Sequence, residues 1–187
     1  MAQEPVETTE PYVLEYRVVY LETNEDLIGK GNEVKIPSLA VDASFCSKDK
    51  CLKNPAPQHR NEIFRLRPLN ETDKANYLTP VGEFLALVEG LKWLKDNNLD
   101  IHIYSDSEIV LGKRNNAGDI EKKAWIENVP INSGSRDCCP KIHDLIVEAE
   151  RWVQSNKEWL KERLDNKKIL KWDTDKWGEI PADFNRK

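Results

Sequence analysis

The feature that most constrains the fold is an alternating apolar segment, Ile101 to Ser105, that ends on a carboxylate at Asp106. Alternation of period two predicts a β-strand, and the residues from Ser107 onward predict the start of a helix. The last side chain of such a strand points out of the carboxyl edge of the sheet, where ligands of open α/β sheets bind. The segment therefore predicts an α/β fold with a candidate site at Asp106.

Three other carboxylates are placed to join Asp106. Asp42 ends a short apolar run, Glu83 lies in the first turns of an apolar helix, and Asp183 lies in the C-terminal tail. Carboxylate oxygens suit Mg²⁺ or Mn²⁺, and without a cation converging carboxylates would repel and raise each other's pKa. A single aspartate after a strand is more often a turn or helix-cap residue, and Asp106 with Ser107 would suit that role. The metal-site prediction therefore depends on the ordered set of four.

Four stretches of the chain resemble the type 1 ribonuclease H family, in particular its bacterial and viroplasmin-associated branch. They are AVDAS at 40–44, GEFLALVEGL at 82–91, IYSDS at 103–107, and KWDT at 171–174 with WGEIPADF at 177–184. The resemblance covers about residue 37 to the C-terminus. It implies an enzyme that cuts the RNA strand of an RNA–DNA hybrid, with two Mg²⁺ ions, or alternatively Mn²⁺, held by Asp42, Glu83, Asp106 and Asp183.

The resemblance implies substrate contacts beside these motifs. Two basic residues are further candidates because they follow Asp106 closely in the sequence. Together, the candidate contacts are Ser44, Asn54, Thr79, Ser107, Lys113 and Arg114.

The sequence also departs from the family pattern at three places. The loop containing Asn54 follows Asp42 later than in the family, which predicts an insertion, and Thr79-Pro80 stands where paired asparagines are common. The family's mobile histidine is absent between His143 and Asp183. Glu179 or Asp173 is predicted to take over proton transfer or product release.

Apolar spacing predicts the elements that hold these residues. Helices are predicted over 80–98, 107–114, 120–128 and 140–155, and later strands at 62–67 and 169–172. Together they predict a ribonuclease H-like α/β fold with a mixed five-stranded sheet and helices on both faces. In the family a strand like 15–20 follows the first catalytic strand, whereas here it precedes it. Two alternatives follow: a shuffled N-terminal strand order, which we favour, or an independent hairpin added to the sheet edge.

Composition agrees with one compact domain. The chain has 187 residues, 33% charged and 39% hydrophobic, which predicts a domain over 11–187 after an acidic, disordered tail at 1–10. No apolar run has the length of a membrane span, so a cytoplasmic protein is predicted, and we expect a monomer.

A net charge of −5 argues against a general nucleic-acid binder, because Lys and Arg supply most phosphate affinity. Bound metal would offset the four carboxylates, so a nuclease remains compatible with this charge.

Cysteines and tryptophans complete the candidates. Cys46, Cys51 and His59 are spaced too loosely for a typical structural zinc site, and the adjacent Cys138-Cys139 pair is a poor complement, so reduced thiols are predicted. Trp172 and Trp177 flank the last motif; packing is the favoured role, and base or sugar stacking is the alternative.

Two other functions compete with hybrid cleavage. One is a hybrid- or double-stranded-RNA-binding module with weak catalysis, and the other is a nuclease for other structured nucleic acids. A pure binding module gains nothing from four acidic groups that face a phosphate backbone. The quartet therefore favours an enzyme.

Overall fold

A mixed five-stranded sheet organises the protein. The computed structural model describes residues 9–22, 34–49, 62–114, 120–122 and 124–182. The sheet has the order β3-β1-β2-β4-β7, in which β1 is antiparallel to β2 and β3, and β2, β4 and β7 are mutually parallel neighbours. Its strands are β1 (Tyr12–Leu21), β2 (Ser38–Ser47), β3 (Glu62–Leu69), β4 (His102–Ser105) and β7 (Ile169–Lys171). The predicted α/β class and five-stranded mixed sheet are confirmed.

Strand β1 lies inside the sheet although it comes first in the chain. Its ten residues are rich in valine and tyrosine, which favour a buried pleated surface. It pairs along its length with β2 on one side and with β3 on the other. The alternative of a hairpin added at the sheet edge was therefore wrong, and the internal position agrees with a shuffled strand order.

The longest helix, α2 (Thr79–Asp96), packs on the sheet as the spacing predicted. Pro80 occupies its first turn, where a missing N–H costs no hydrogen bond. Gly82 and Gly90 face the sheet so closely that an added Cβ would lie 3.0 Å from Ala43 Cβ and 3.0 Å from Val41 Cγ1, respectively. These two glycines let the helix axis approach β2.

The other helical elements are shorter. They are α1 (Glu71–Asn76), α3 (Glu108–Leu111), α4 (Ser133–Arg136), α5 (His143–Ser155), α6 (Lys157–Asp165), α7 (Thr174–Trp177) and 3₁₀ turns at Trp125–Glu127 and Pro140–Ile142. The predicted helix at 140–155 is thus confirmed as a 3₁₀ turn that continues into α5.

Two predicted helices were wrong in extent or in kind. The helix after Asp106 ends at Leu111, because Gly112 has a φ of 77°, in the left-handed region that glycine favours. Lys113–Arg114 instead forms the short strand β5, which pairs with β6 (Ile120–Lys122) in a separate two-stranded sheet. The segment 120–128, predicted as helix, is therefore strand β6 followed by the first 3₁₀ turn.

Each sheet face carries its own apolar cluster. The larger lies under α2 and α5 and includes Val18, Val41, Leu87 and Ile146. The smaller lies on the opposite face and joins Val19, Ala40, Tyr104, Trp172, Ile180 and Ala182, with Trp177 of α7 packed against it. Helices therefore lie on both faces, as predicted.

Packing accounts for both tryptophans of the last motif. Trp172 is fully buried, and its Nε1 donates a hydrogen bond to the Gly178 carbonyl at 2.8 Å. Trp177 packs edge-on against Trp172 with ring centroids 5.0 Å apart. The favoured packing role is confirmed.

The cysteines differ from the prediction at one position. Cys138 and Cys139 are buried free thiols, as predicted, whereas Cys46 is disulfide-bonded. Neither Cys51 nor His59 is among the described residues, and most of the predicted 1–10 tail is also outside them. None of the described helices is long and apolar enough to cross a membrane.

Candidate metal centre

Two of the predicted ligands are placed by the parallel pairing of β2 and β4. The register pairs Ala40 with Tyr104, and Asp42 and Asp106 each lie two residues further along. Because parallel strands end at the same edge of a sheet, both aspartates reach its carboxyl edge. The β2–β4 pairing stops at Ala40, so the carboxyl half of β2 extends past β4 and leaves room beside Asp42.

The third predicted ligand, Glu83, comes from helix α2. Gly82 brings the first turn against Ala43, and the backbone N–H of Ala43 donates a hydrogen bond to the carboxylate of Glu83. One carboxylate oxygen from each of Asp42, Glu83 and Asp106 lies within 4.8 Å of the other two. Three predicted metal-binding residues therefore converge at one point.

The electrostatics of this cluster fit a bound cation. Asp42 and Glu83 are 7% and 6% exposed, and Asp106 is half-buried. The pKa of Glu83 is raised well above its usual value, first by burial and then by the charges of Asp42 and Asp106, with the Ala43 hydrogen bond opposing the shift. Glu83 Oε2 is buried and has no hydrogen-bond partner among the described residues. A hard divalent ion would satisfy that oxygen and remove the repulsion.

Asp183 and Asn54 lie outside the described residues, so their predicted roles stay predictions. The chain leading to Asp183 is described as far as Ala182. Ile180 and Ala182 are buried on the sheet face that also carries Ala40.

The remaining predicted substrate contacts are distributed around the cluster. Ser44 lies on β2 two residues after Asp42, and Thr79 is the first residue of α2. Ser107 caps helix α3, since its Oγ accepts a hydrogen bond from the N–H of Val110 at 3.4 Å. The cap function considered for Asp106 and Ser107 together therefore belongs to Ser107. For Lys113 and Arg114 only the backbone, in β5, is described.

The two candidates for proton transfer are not among the three carboxylates that converge. Asp173 caps α7, because its Oδ1 accepts a hydrogen bond from the N–H of Lys176 at 3.1 Å. Glu179 is exposed in the segment after α7. A catalytic role for either residue stays a prediction.

Sequence reasoning missed two charged residues near the cluster. Glu15 and Arg17 of β1 are 2% and 1% exposed, and Arg17 Nε lies 3.5 Å from Glu15 Oε1. The signal was present, because two charged residues two apart in a strand share one face. We considered the strand at 15–20 only for its place in the strand order.

The sequence of this chain matches no family model.

Proposed function

We propose that this protein is a metal-dependent endoribonuclease that hydrolyses the RNA strand of RNA–DNA hybrids. The proposal is carried by the convergence of Asp42, Glu83 and Asp106 at the carboxyl edge of the sheet. It is supported by Oε2 of Glu83, which is buried, has no hydrogen-bond partner among the described residues, and is therefore available to coordinate a cation.

Each residue has a role in this proposal. Asp42, Glu83 and Asp106, with Asp183 as the proposed fourth ligand, would hold two Mg²⁺ or Mn²⁺ ions. When bound, such ions activate a water and stabilise the leaving oxygen of a phosphodiester. Ser44, Thr79 and Ser107 would contact the hybrid beside the cluster, and Glu179 or Asp173 would take part in proton transfer.

Catalysis explains the buried carboxylates better than binding alone. Carboxylates repel the phosphates of a nucleic acid, and burying them is unfavourable unless a cation compensates. Two of the three are buried here, and the chain carries a net charge of −5. A module that only binds nucleic acid would be weakened by each of these features.

The choice of an RNA–DNA hybrid depends on the resemblance of the four sequence stretches to type 1 ribonucleases H. Discrimination between the strands would use the 2′-hydroxyls of the RNA, which distinguish RNA from DNA at a given site. A cytoplasmic location and a monomeric state belong to the same proposal.

We expect the full chain to cut labelled RNA in a hybrid when Mg²⁺ or Mn²⁺ is present and to leave 5′-phosphate and 3′-hydroxyl ends. RNA duplex, DNA duplex and single strands, each with Mg²⁺, Mn²⁺ or chelator, complete the panel. Equal cutting of all substrates would contradict the hybrid assignment and favour a broader nuclease. Undiminished cutting in chelator would contradict the metal centre, and binding without cutting would favour the binding module.

The basic pair Lys113 and Arg114 is expected to act in binding rather than in chemistry. Replacing both with alanine removes two cations, so hybrid binding should weaken. The binding constant should also depend less steeply on salt, with the plot of its logarithm against the logarithm of the salt concentration becoming less negative in slope by about 2. Turnover at saturating hybrid should stay within a few-fold of the parent, which single-turnover cleavage at several salt concentrations would show. Loss of turnover at saturation would instead place this pair at the reacting phosphate.

A further inference from the structure

Arg17 is one of the largest fully buried side chains in the described part of the protein. It is 1% exposed, and its Nε lies 3.5 Å from Oε1 of Glu15, which is 2% exposed. Burying such a pair is costly, and replacing buried ion pairs by apolar residues often stabilises a protein. The pair therefore calls for an explanation other than simple core stability.

The register places Arg17 directly opposite Asp42. The two residues are Cα partners in the antiparallel β1–β2 pair. Directly opposed side chains lie on the same face of a sheet with Cβ atoms about 4.5–5.5 Å apart. The next opposed pair on this face, Val19 and Ala40, belongs to the smaller apolar cluster. The guanidinium of Arg17 thus shares a buried face with the first proposed metal ligand.

No second cation occupies this face of strands β1, β2 and β3 among their described residues. The described arginines of β3, Arg65 and Arg67, are opposite Tyr16 and Leu14, which point to the other face. Four acidic residues surround or face the same region: Glu15, Asp42, Glu83 and Asp106. Among the described residues of β1, β2 and β3, Arg17 is therefore the one positive charge on the face that carries Asp42.

Burial also limits how Arg17 acts. At 1% exposure its guanidinium is not accessible to a phosphate of a bound nucleic acid. Any effect on the reaction has to pass through a neighbour, and the neighbour fixed by the sheet register is Asp42.

We propose that Arg17 is a positioning residue that supplies a fixed counter-charge to the carboxylate cluster through Asp42. This inference rests on the proposed metal centre. In the metal-free protein the positive charge offsets the repulsion among the carboxylates. In the metal-bound protein the same charge opposes the ions, so that Arg17 lowers the affinity of the site for divalent cations.

The direct test is a double-mutant cycle between Arg17 and Asp42 in chelator. Arg17→Gln should lower the melting temperature of the parent but should lower it clearly less in an Asp42→Asn background. The cost of leaving Glu15 without its ion-pair partner is common to both backgrounds and cancels in the cycle. Arg65→Gln is the matched control, because Arg65 is ion-paired with Glu89 at 3.0 Å on the opposite face, so its effect should be additive with Asp42→Asn. Equal losses from Arg17→Gln in the two backgrounds would overturn the proposal.

The second test is Mn²⁺ binding, measured by calorimetry on the full chain without nucleic acid. Arg17→Gln should bind Mn²⁺ roughly tenfold more tightly, because a repelling charge is removed. Glu15→Gln should bind it more weakly, and Arg17→Lys, which keeps the charge, should stay close to the parent. A purely structural pair would weaken binding in both glutamine variants, and that result would overturn the proposal.

The two tests separate this inference from the proposed function. A parent that binds Mn²⁺, with binding lost in Asp42→Asn but unchanged in Arg17→Gln, would overturn only the role of Arg17. A parent that binds no Mn²⁺ would overturn the metal centre and the affinity effect that rests on it. If Arg17→Gln does not fold, the double variant Glu15→Gln with Arg17→Gln decides, because it leaves neither member of the ion pair charged. It should bind Mn²⁺ more tightly than Glu15→Gln alone, and binding no tighter than that of Glu15→Gln would overturn the proposal.

Discussion

Replacing Asp106 with asparagine should abolish nearly all cleavage of RNA–DNA hybrids while the fold is kept. Asp106 is half-buried, with a carboxylate oxygen within 4.8 Å of oxygens of Asp42 and Glu83. An amide retains the shape of the side chain but lacks the negative charge that holds a divalent ion. If the ions contribute about 4 kcal/mol of transition-state stabilisation, turnover should fall by roughly 10³-fold. Single-turnover cleavage in saturating Mg²⁺ measures this loss.

A control separates the loss of one ligand from the loss of any carboxylate. Asp96→Asn removes an exposed charge at the far end of the helix that carries Glu83, so turnover should be close to that of the parent. Circular dichroism should show the parental fold for both variants. Activity of Asp106→Asn within tenfold of the parent would show that this residue is not a metal ligand.

Replacing Glu83 with glutamine should raise the stability of the metal-free protein at neutral and alkaline pH. Burial, followed by the charges of Asp42 and Asp106, raises the pKa of Glu83 in the folded state. The folded parent thus binds a proton more tightly than the unfolded chain does. The stabilisation of the folded state that Glu83 contributes is fully present below its unfolded pKa of about 4. This stabilisation is lost as pH rises through the raised pKa of the folded state.

Glutamine does not ionise, so the variant escapes this loss. In chelator at pH 8 it should be more stable than the parent by on the order of 1 kcal/mol, or about 2–4 °C in melting temperature. The difference in stability between the variant and the parent should shrink as pH falls toward 4. Millimolar Mg²⁺ should narrow or reverse the ranking at pH 8, because an ion that binds only the folded parent stabilises it by mass action. A variant that melts below the parent in chelator at pH 8, with no effect of Mg²⁺ on the parent, would contradict a shared metal site.

Much of the site could be predicted because its determinants are local. The alternation before Asp106 and the helical spacing around Glu83 each depend on a few adjacent residues, and the parallel pairing of β2 with β4 then aligned Asp42 with Asp106. The start of α2 was likewise marked by Pro80. Local patterns therefore located three of the four predicted ligands, and the structure brings these three together.

The features that sequence analysis missed depend on partners distant in the chain. Strand β5 exists only by pairing with β6, and the two short segments carry no strand pattern of their own. Helix α1 was missed although Asn70 and Asp73 form a capping box, a local signal that we did not use. The proximity of Arg17 to Asp42 depends on the register of β1 with β2, which the sequence does not reveal.

Because β1 lies inside the sheet, the strand Tyr12–Leu21 holds β3 and β2 together. Proteolytic trimming up to Leu21 would remove the strand that joins β2 to β3, and would leave Asp42, Glu83 and Asp106 chemically intact in a sheet split in two. We therefore expect such trimming to abolish the proposed cleavage although Asp42, Glu83 and Asp106 all remain in the chain. Conversely, a peptide carrying Tyr12–Leu21 has the register contacts needed to complement such a fragment by strand addition.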